Sequence, residues 1–444
     1  MGQIDEAKLE LVRGLIVQAP DSAIRNLLLA LSADSGHDAG LTRVQNMVEA
    51  EADDRRARNM ALSPIAPLCV PAGPFSGLNF PPRTLALIWK ALKDEAPEDV
   101  VAAKALAAEW RGDESSPDIF DSLCERTAEG MRSTDGAFAA AAAAADQGAG
   151  REALAACLDI AVITRRALDQ MPEWLGRMTS EKAAKLRLAV RDVEAADDDA
   201  GPRFFEMLAA HLTEPWLILR VISGVMDRPN ETYLSASELA SFGERTLADI
   251  DRRLAELGAF RATAGRKAAQ AAAQSVHTAV AEITEFEQSI NTAPEGIWGR
   301  RLARQKRTMA ATIEGYLRAA DDAVAHALPV QTIRRGPRSA RSSPRLNQDP
   351  DPAMIEKALT LLTFMSEVRS SAAGGGFASA RAKALEGLGT RLDSYVEDIL
   401  DEIRAEDCEH RDRAHAFLEI AADFCGLARD DKAAQIVRRR AAAA

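Results

Sequence analysis

The stretch Cys408–His415 is the one place where the sequence groups several residue types that can bind a metal ion. On a helix, Cys408, Asp412 and His415 follow one another at i, i+4 and i+7, so their side chains share one face. A thiolate, a carboxylate and an imidazole are ligands that zinc accepts. The same stretch interleaves acidic and basic residues as solvated helix surfaces do, and no fourth ligand can be named. We therefore predict no metal site and keep these three residues as candidates only.

The familiar catalytic and phosphate-binding patterns are missing from the sequence. It contains no GxxxxGK[ST] loop, no HExxH pair and no GxSxG turn. The glycines Gly374–Gly376 follow no strand, so a turn between two helices explains them. His211, His277 and His326 stand alone, and no pair of carboxylates is singled out by apolar surroundings. The sequence favours a protein without catalysis or a cofactor. An enzyme or metalloprotein whose helical site has no signature is the second alternative.

A basic segment, Arg300–Arg345, is the strongest local deviation in charge. It contains eleven basic residues against three acidic ones, a net charge of +8 in a chain whose formal charge is −12. Such a segment could bind nucleic acid or an anionic membrane surface. It could equally face an acidic protein surface, and we favour a solvated or protein-facing role because only Trp298 and Tyr316 could stack on bases. The candidate patch comprises Arg300, Arg301, Arg304, Lys306, Arg307, Arg334, Arg335, Arg338, Arg341 and Arg345.

An apolar segment broken by prolines, residues 63–82, is the second candidate surface. The helical period fails there, because the segment mixes prolines and glycines with apolar side chains. Phe75, Leu78 and Phe80 could contact a protein partner or a second copy of the chain. The favoured interpretation is that these side chains cover the core of their own domain.

The composition predicts an all-α protein. Aromatic residues make up only 5% of the chain, whereas the strong helix formers Ala, Leu, Arg and Glu recur throughout. The net negative charge argues against a surface built entirely for nucleic acid. Met1–Gln18 carries five charged residues, and the longest charge-free stretch, Asn59–Pro82, carries six prolines, so neither a signal peptide nor a transmembrane segment is expected. Five scattered cysteines suit reduced thiols, and we expect a cytoplasmic protein.

Periodicity and breaks divide the sequence into five parts. We predict an N-terminal helical segment (1–62), a proline-rich apolar connector (63–82), a central multi-helix body (83–328), a basic flexible linker (329–353) and a C-terminal helical bundle (354–444). Within the body, Ser235–Glu238 matches a capping box and predicts the start of a helix.

Apolar stripes along helices, on which another helix can pack, and a flexible linker are typical of proteins that work through contacts with other proteins. The sequence therefore predicts a scaffold or adaptor that binds a protein partner or itself. A binder of nucleic acid or of an anionic membrane through residues 300–345 is the first alternative, and steep salt dependence would distinguish it.

Overall fold

The chain folds as an all-α protein, which confirms the predicted fold class. The computed structural model describes residues 6–33, 39–110, 117–133, 135–197, 199–226, 229–336, 339–405 and 409–444. Within these residues lie twenty α-helices, three short 3-10 helices and one two-stranded hairpin. Among the same residues, no helix has both the length and the apolarity needed to cross a bilayer.

The helices pack into two compact units, Met1–Arg228 and Pro229–Ala444. The first unit contains α1 (Glu6–Gln18), α2 (Asp21–Ala33), α3 (Ala39–Ala61), α4 (Arg83–Glu95), α5 (Pro97–Glu109), α6 (Asp118–Arg132), α7 (Ala139–Ala145), α8 (Arg151–Asp159), α9 (Ala161–Leu175), α10 (Ser180–Ala196), α11 (Ala200–Ala210) and α12 (Ile218–Val225). The second contains α13 (Glu231–Ser235), α14 (Ala240–Ala259), α15 (Arg266–Ser289), α16 (Ile297–Ala327), β1 (Val330–Gly336), β2 (Ser339–Pro344), α17 (Pro352–Glu367), α18 (Ala378–Arg404), α19 (Arg411–Ala428) and α20 (Asp431–Ala443).

Buried arginines hold the first unit together at the ends of its helices. Arg55 of α3 donates hydrogen bonds to the carbonyl of Ile16 (3.0 Å), in the last turn of α1, and to that of Ala19 (2.7 Å), directly after this helix. Arg165 of α9 donates in the same way to Ala61 (2.7 Å) at the end of α3. Its Nε also donates to Asp121 of α6 (3.0 Å), so the buried charge is paired.

The second unit is built around α16, a helix of 31 residues that packs against α14, α17 and α18. Its apolar side carries Leu302, Met309 and Ile313, all of them buried. Farther along, Tyr316 meets Phe364 of α17 with a ring-centre distance of 5.3 Å. The opposite side of α16 faces solvent, and this side carries Arg300, Arg304 and Arg307 of the candidate patch.

The organisation of the second unit differs from the sequence prediction in two respects. Residues 330–336 and 339–344, predicted as part of a flexible linker, pair as an antiparallel hairpin in which Val330 lies opposite Pro344. The arginines, serines and prolines of this stretch are typical of a linker, so its composition did not predict the pairing. The predicted C-terminal bundle also belongs to the same compact unit as α14–α16, because α17 packs on both α15 and α16.

The predicted capping box is wrong. The helix begins at Ala240 rather than after Ser235, and no side chain caps its N-terminus. Ser237 instead accepts a hydrogen bond from the backbone N–H of Leu239 (3.3 Å) within a turn between α13 and α14. The Ser-x-x-Glu spacing is short enough to occur by chance where serines cluster in turns.

Candidate anion-binding groove

The N-terminus of α16 is fixed by a buried carboxylate. Glu231 of α13 accepts hydrogen bonds from the backbone N–H groups of Trp298 (2.8 Å), Ala293 (3.2 Å) and Gly299 (3.3 Å). These include N–H groups that the first turn of a helix cannot bond internally, and the negative charge suits the positive end of the helix dipole. A Cβ atom at Gly296 would collide with the Glu231 carboxylate, so a larger residue at this position would displace the cap. The cap therefore holds the start of α16 and the loop before it in one arrangement.

Two basic residues of the predicted patch are neutralised within the second unit. Arg301 pairs with Asp251 (2.8 Å) and Glu244 (2.9 Å) of α14. Lys306 pairs with Glu287 of α15 (2.8 Å). These two cations contribute to the packing of α16 on its neighbours, and their charge is already partly balanced.

Three other arginines on α16 are exposed and form no ion pair with any described residue. Arg300, Arg304 and Arg307 follow one another at i, i+4 and i+7, so they lie along one side of the helix. With a rise of about 1.5 Å per residue, they span about 10 Å. Like charges at this spacing destabilise a helix by about 0.2–0.5 kcal/mol per pair. The row therefore carries uncompensated positive charge that an anionic group would relieve.

The three arginines line an open groove with a volume of about 660 Å³. We call it the arginine groove, and its walls are Pro294, Glu295, Ile297, Arg300, Arg301, Ala303, Arg304 and Arg307. The capped loop before α16 supplies Pro294 and Glu295, whereas the helix supplies the remaining residues. Ile297, at the first position of the helix, is 71% exposed. The groove thus combines guanidinium groups with an apolar end.

The rest of the predicted basic patch lies elsewhere along the chain. The backbone places Arg334 and Arg335 on β1 and Arg341 on β2, while Arg345 is exposed directly after β2. Arg338 lies outside the described residues. About twenty helical residues, or about 30 Å of helix, separate Arg307 from the end of α16. The single basic segment of the sequence is therefore split between the arginine groove and the hairpin.

The proline segment, residues 63–82, packs mainly on its own unit. Phe80 is fully buried, and its backbone N–H donates to the carbonyl of Leu68 (2.8 Å), so this phenylalanine is a core residue and cannot serve as an exposed anchor. Phe75 and Leu78 are half-buried and line a pocket of about 240 Å³. Pro67, Pro71 and Pro74 form part of the same wall. The segment offers a small apolar surface, but little charge to select a partner.

The candidate metal ligands are not brought together by the described structure. Asp412 and His415 lie on the first two turns of α19, and Cys408 lies outside the described residues. Within the part of the chain that the structure describes, no three His, Cys, Asp or Glu side chains could hold a metal ion.

A pair of buried carboxyl groups, Asp249 of α14 and Glu282 of α15, was not predicted from the sequence. Arg253 bridges them, since its Nε lies 2.9 Å from Asp249 and 3.0 Å from Glu282. Burial raises the pKa of Glu282 to about 9, and the hydrogen bond and charge of Asp249 add to the effect. The Oε2 atom of Glu282 is buried and has no hydrogen-bond partner among the described residues, which adds to the cost of ionising this carboxyl group. Glu282 has no exposed surface, so this pair cannot meet a substrate and acts in packing.

The Asp249 carboxyl group keeps its charge within the same cluster. Burial alone would raise the pKa of Asp249, but hydrogen bonds from Glu282 and Arg252 and the charges of both arginines lower it below its ordinary value. The proton of the pair therefore resides on Glu282. Only the fold reveals this arrangement, because 33 residues separate the two carboxyl groups in the sequence.

The two candidate surfaces of the sequence analysis thus correspond to two open pockets of the described residues, the arginine groove and the pocket of the proline segment. The arginine groove is the larger and the more strongly charged of the two. Comparison with known protein families, curated proteins and solved structures finds no match to this chain.

Proposed function

We propose that this protein is a helical adaptor that binds an anionic partner through the arginine groove. The observation that carries the proposal is the contrast between two sets of cations on one helix. Arg301 and Lys306 are paired with acidic residues of α14 and α15, whereas Arg300, Arg304 and Arg307 have no ionic partner among the described residues. The second set is free to pair with an external anion without breaking contacts inside the unit.

The helix also holds the backbone of the three arginines in a defined row. Their helix starts at a buried cap on Glu231, and its other side is packed on apolar neighbours, so the backbone beneath the arginines is rigid. A partner that matches this row does not have to order the backbone, although it must still order the side chains. Exposed ion pairs contribute about 0.2–1 kcal/mol each, so three contribute about 0.6–3 kcal/mol together and set specificity more than affinity.

A cytoplasmic location forms part of the same proposal. The described cysteines Cys69, Cys124, Cys157 and Cys425 are free and buried. Burial raises the pKa of Cys69 and that of Cys157 to about 12, so these thiols stay protonated and behave as small apolar core residues. Reduced core thiols are compatible with a reducing compartment.

A simple polyanion tests the proposal, because it carries no bases, phosphates or lipid tails. Binding of fluorescent poly-L-glutamate to the full chain should be measurable at about 50 mM salt and should weaken steeply by about 200 mM. Replacing Arg300, Arg304 and Arg307 together by glutamine should weaken binding by about 3- to 150-fold and flatten the salt dependence.

A matched control removes the same charge from elsewhere on the second unit. Lys267, Arg318 and Lys383 are exposed, lie outside the arginine groove and form no ion pair with a described residue. Their combined replacement by glutamine should change the affinity far less than the groove variant does. An equal loss in both triple variants would show that only net charge matters, and absent binding to the unaltered chain would refute the proposal.

A further inference from the structure

We infer that the arginine groove takes an acidic protein segment with an apolar anchor side chain, rather than nucleic acid or a lipid surface; this rests on the proposed function above. The inference starts from Ile297, which is the most exposed large apolar side chain among the described residues of the second unit. A single exposed apolar residue is common on protein surfaces. Ile297 differs because it lies in line with three unpaired arginines and lines the same groove.

The spacing of the row defines the length and order of the partner's groups. Ile297, Arg300, Arg304 and Arg307 occupy positions i, i+3, i+7 and i+10, which keeps them on one side of α16. The row is about 15 Å long. An extended segment of about five residues, or a helix of about ten, covers that length. The matching segment therefore carries an apolar side chain at one end and carboxylates along the rest.

The groove lacks the features that nucleic acid requires. None of its lining residues is aromatic, so bases have no surface on which to stack. The carboxylate of Glu295 lies in the groove wall and repels a continuous phosphate backbone. A protein segment avoids this repulsion, because it can place carboxylates opposite the arginines and a neutral or basic residue opposite Glu295. Arginine beside an apolar side chain is also a common composition for the centre of a protein interface.

A lipid surface fits the groove equally poorly. Membrane-binding helices insert a broad apolar face, whereas the groove offers Ile297 with Pro294 and Ala303 beside it. Stable attachment to a bilayer generally requires two anchoring signals, such as an inserted apolar group and a basic patch. The groove supplies only one exposed apolar side chain and a short basic row, so both signals are weak.

The test uses the full chain and four probes. The first is a peptide with leucine at both ends of a run of about six glutamates, so that either chain direction can place a leucine on Ile297. The second peptide has serine in place of both leucines. The third is an oligothymidylate of the same charge, and the fourth is a vesicle containing phosphatidylserine. All affinities are measured at about 150 mM salt, where long-range charge effects are screened.

We expect the leucine peptide to bind about tenfold more tightly than the serine peptide and more tightly than the oligonucleotide or the vesicle. Ile297→Ser should remove the difference between the peptides without changing the melting temperature, because the side chain is mostly exposed. Ile436→Ser, at an exposed position of α20, is the matched control and should preserve the difference.

Two results overturn the inference while the proposed function survives. One is equal binding of the two peptides, each weakened by the triple arginine variant. The other is tighter binding of the oligonucleotide or the vesicle, again dependent on the three arginines. If the unaltered chain binds none of the four probes and no poly-L-glutamate, the proposed function itself fails.

Discussion

Replacing Glu282 by glutamine should change how the stability of the protein depends on pH. In the folded chain the pKa of Glu282 is raised from its ordinary value of 4.5 to about 9, first by burial and then by Asp249. The folded protein therefore keeps a proton that the unfolded chain has lost at neutral pH. Glutamine resembles the protonated acid in shape and can donate a hydrogen bond to Asp249, but it does not titrate.

The sign and size of the effect follow from proton linkage. Because the folded pKa is raised, the stabilising contribution is complete below the unfolded pKa and is lost as the pH rises toward 9. Between these limits each pH unit lowers the free energy of unfolding by about 1.4 kcal/mol through this one group. The wild-type protein should thus lose about 3 kcal/mol relative to Glu282→Gln between about pH 5.5 and about pH 7.5.

Chemical denaturation of both proteins at several pH values measures this difference. Other titrating groups affect both proteins alike, so the difference between the two curves isolates Glu282. Glu314→Gln, at an exposed position of α16, serves as the control for replacing one carboxyl group by an amide. Parallel curves for Glu282→Gln and the wild type would show that Glu282 is ionised in the folded protein, and the description of the buried pair would be wrong.

Three further predictions concern packing. Glu231→Ala should lower the free energy of unfolding by about 2–4 kcal/mol, because it leaves three backbone N–H groups of the α16 cap without their acceptor. Urea denaturation measures this loss of stability, and a loss below about 0.5 kcal/mol would contradict the cap. Gly296→Ala should be destabilised similarly, since its Cβ collides with Glu231. Phe80→Ala should lower the free energy of unfolding by about 3–5 kcal/mol, and Phe75→Ala by less than half as much, because Phe75 is only half-buried. Equal melting temperatures of the two variants would contradict this difference in burial.

The helical fold was predictable because its causes are local. Runs of alanine and leucine favour helices wherever they occur, and α7, which consists of seven alanines, is an extreme case. The same local reasoning misplaced the start of α14. The Ser-x-x-Glu pattern does not show that Ser237 stabilises a turn instead of capping a helix. Local reasoning also missed the hairpin. The composition of residues 330–344 is typical of a linker, whereas in the fold β1 and β2 pair with each other.

The candidate site was predictable only in part. The sequence identified the basic residues of α16, but it could not separate Arg301 and Lys306, whose partners lie on other helices, from the arginines without partners. The cap on α16 was equally hidden, because Glu231 is 67 residues from Trp298 along the chain. Such contacts depend on the packed fold, and no local pattern encodes them.

The proposed function requires Arg300, Arg304 and Arg307 to act together as the contact site for an anionic partner. Nuclear magnetic resonance of the arginine Nε–Hε groups in the full chain tests it most directly, with signals assigned from single arginine-to-glutamine variants. On addition of the leucine-flanked acidic peptide, the signals of these three residues should shift together with one dissociation constant, whereas the signal of Arg301, held by Asp251 and Glu244, should move little. Shifts that spare the three residues, or that spread evenly over exposed arginines of both units, would contradict the account.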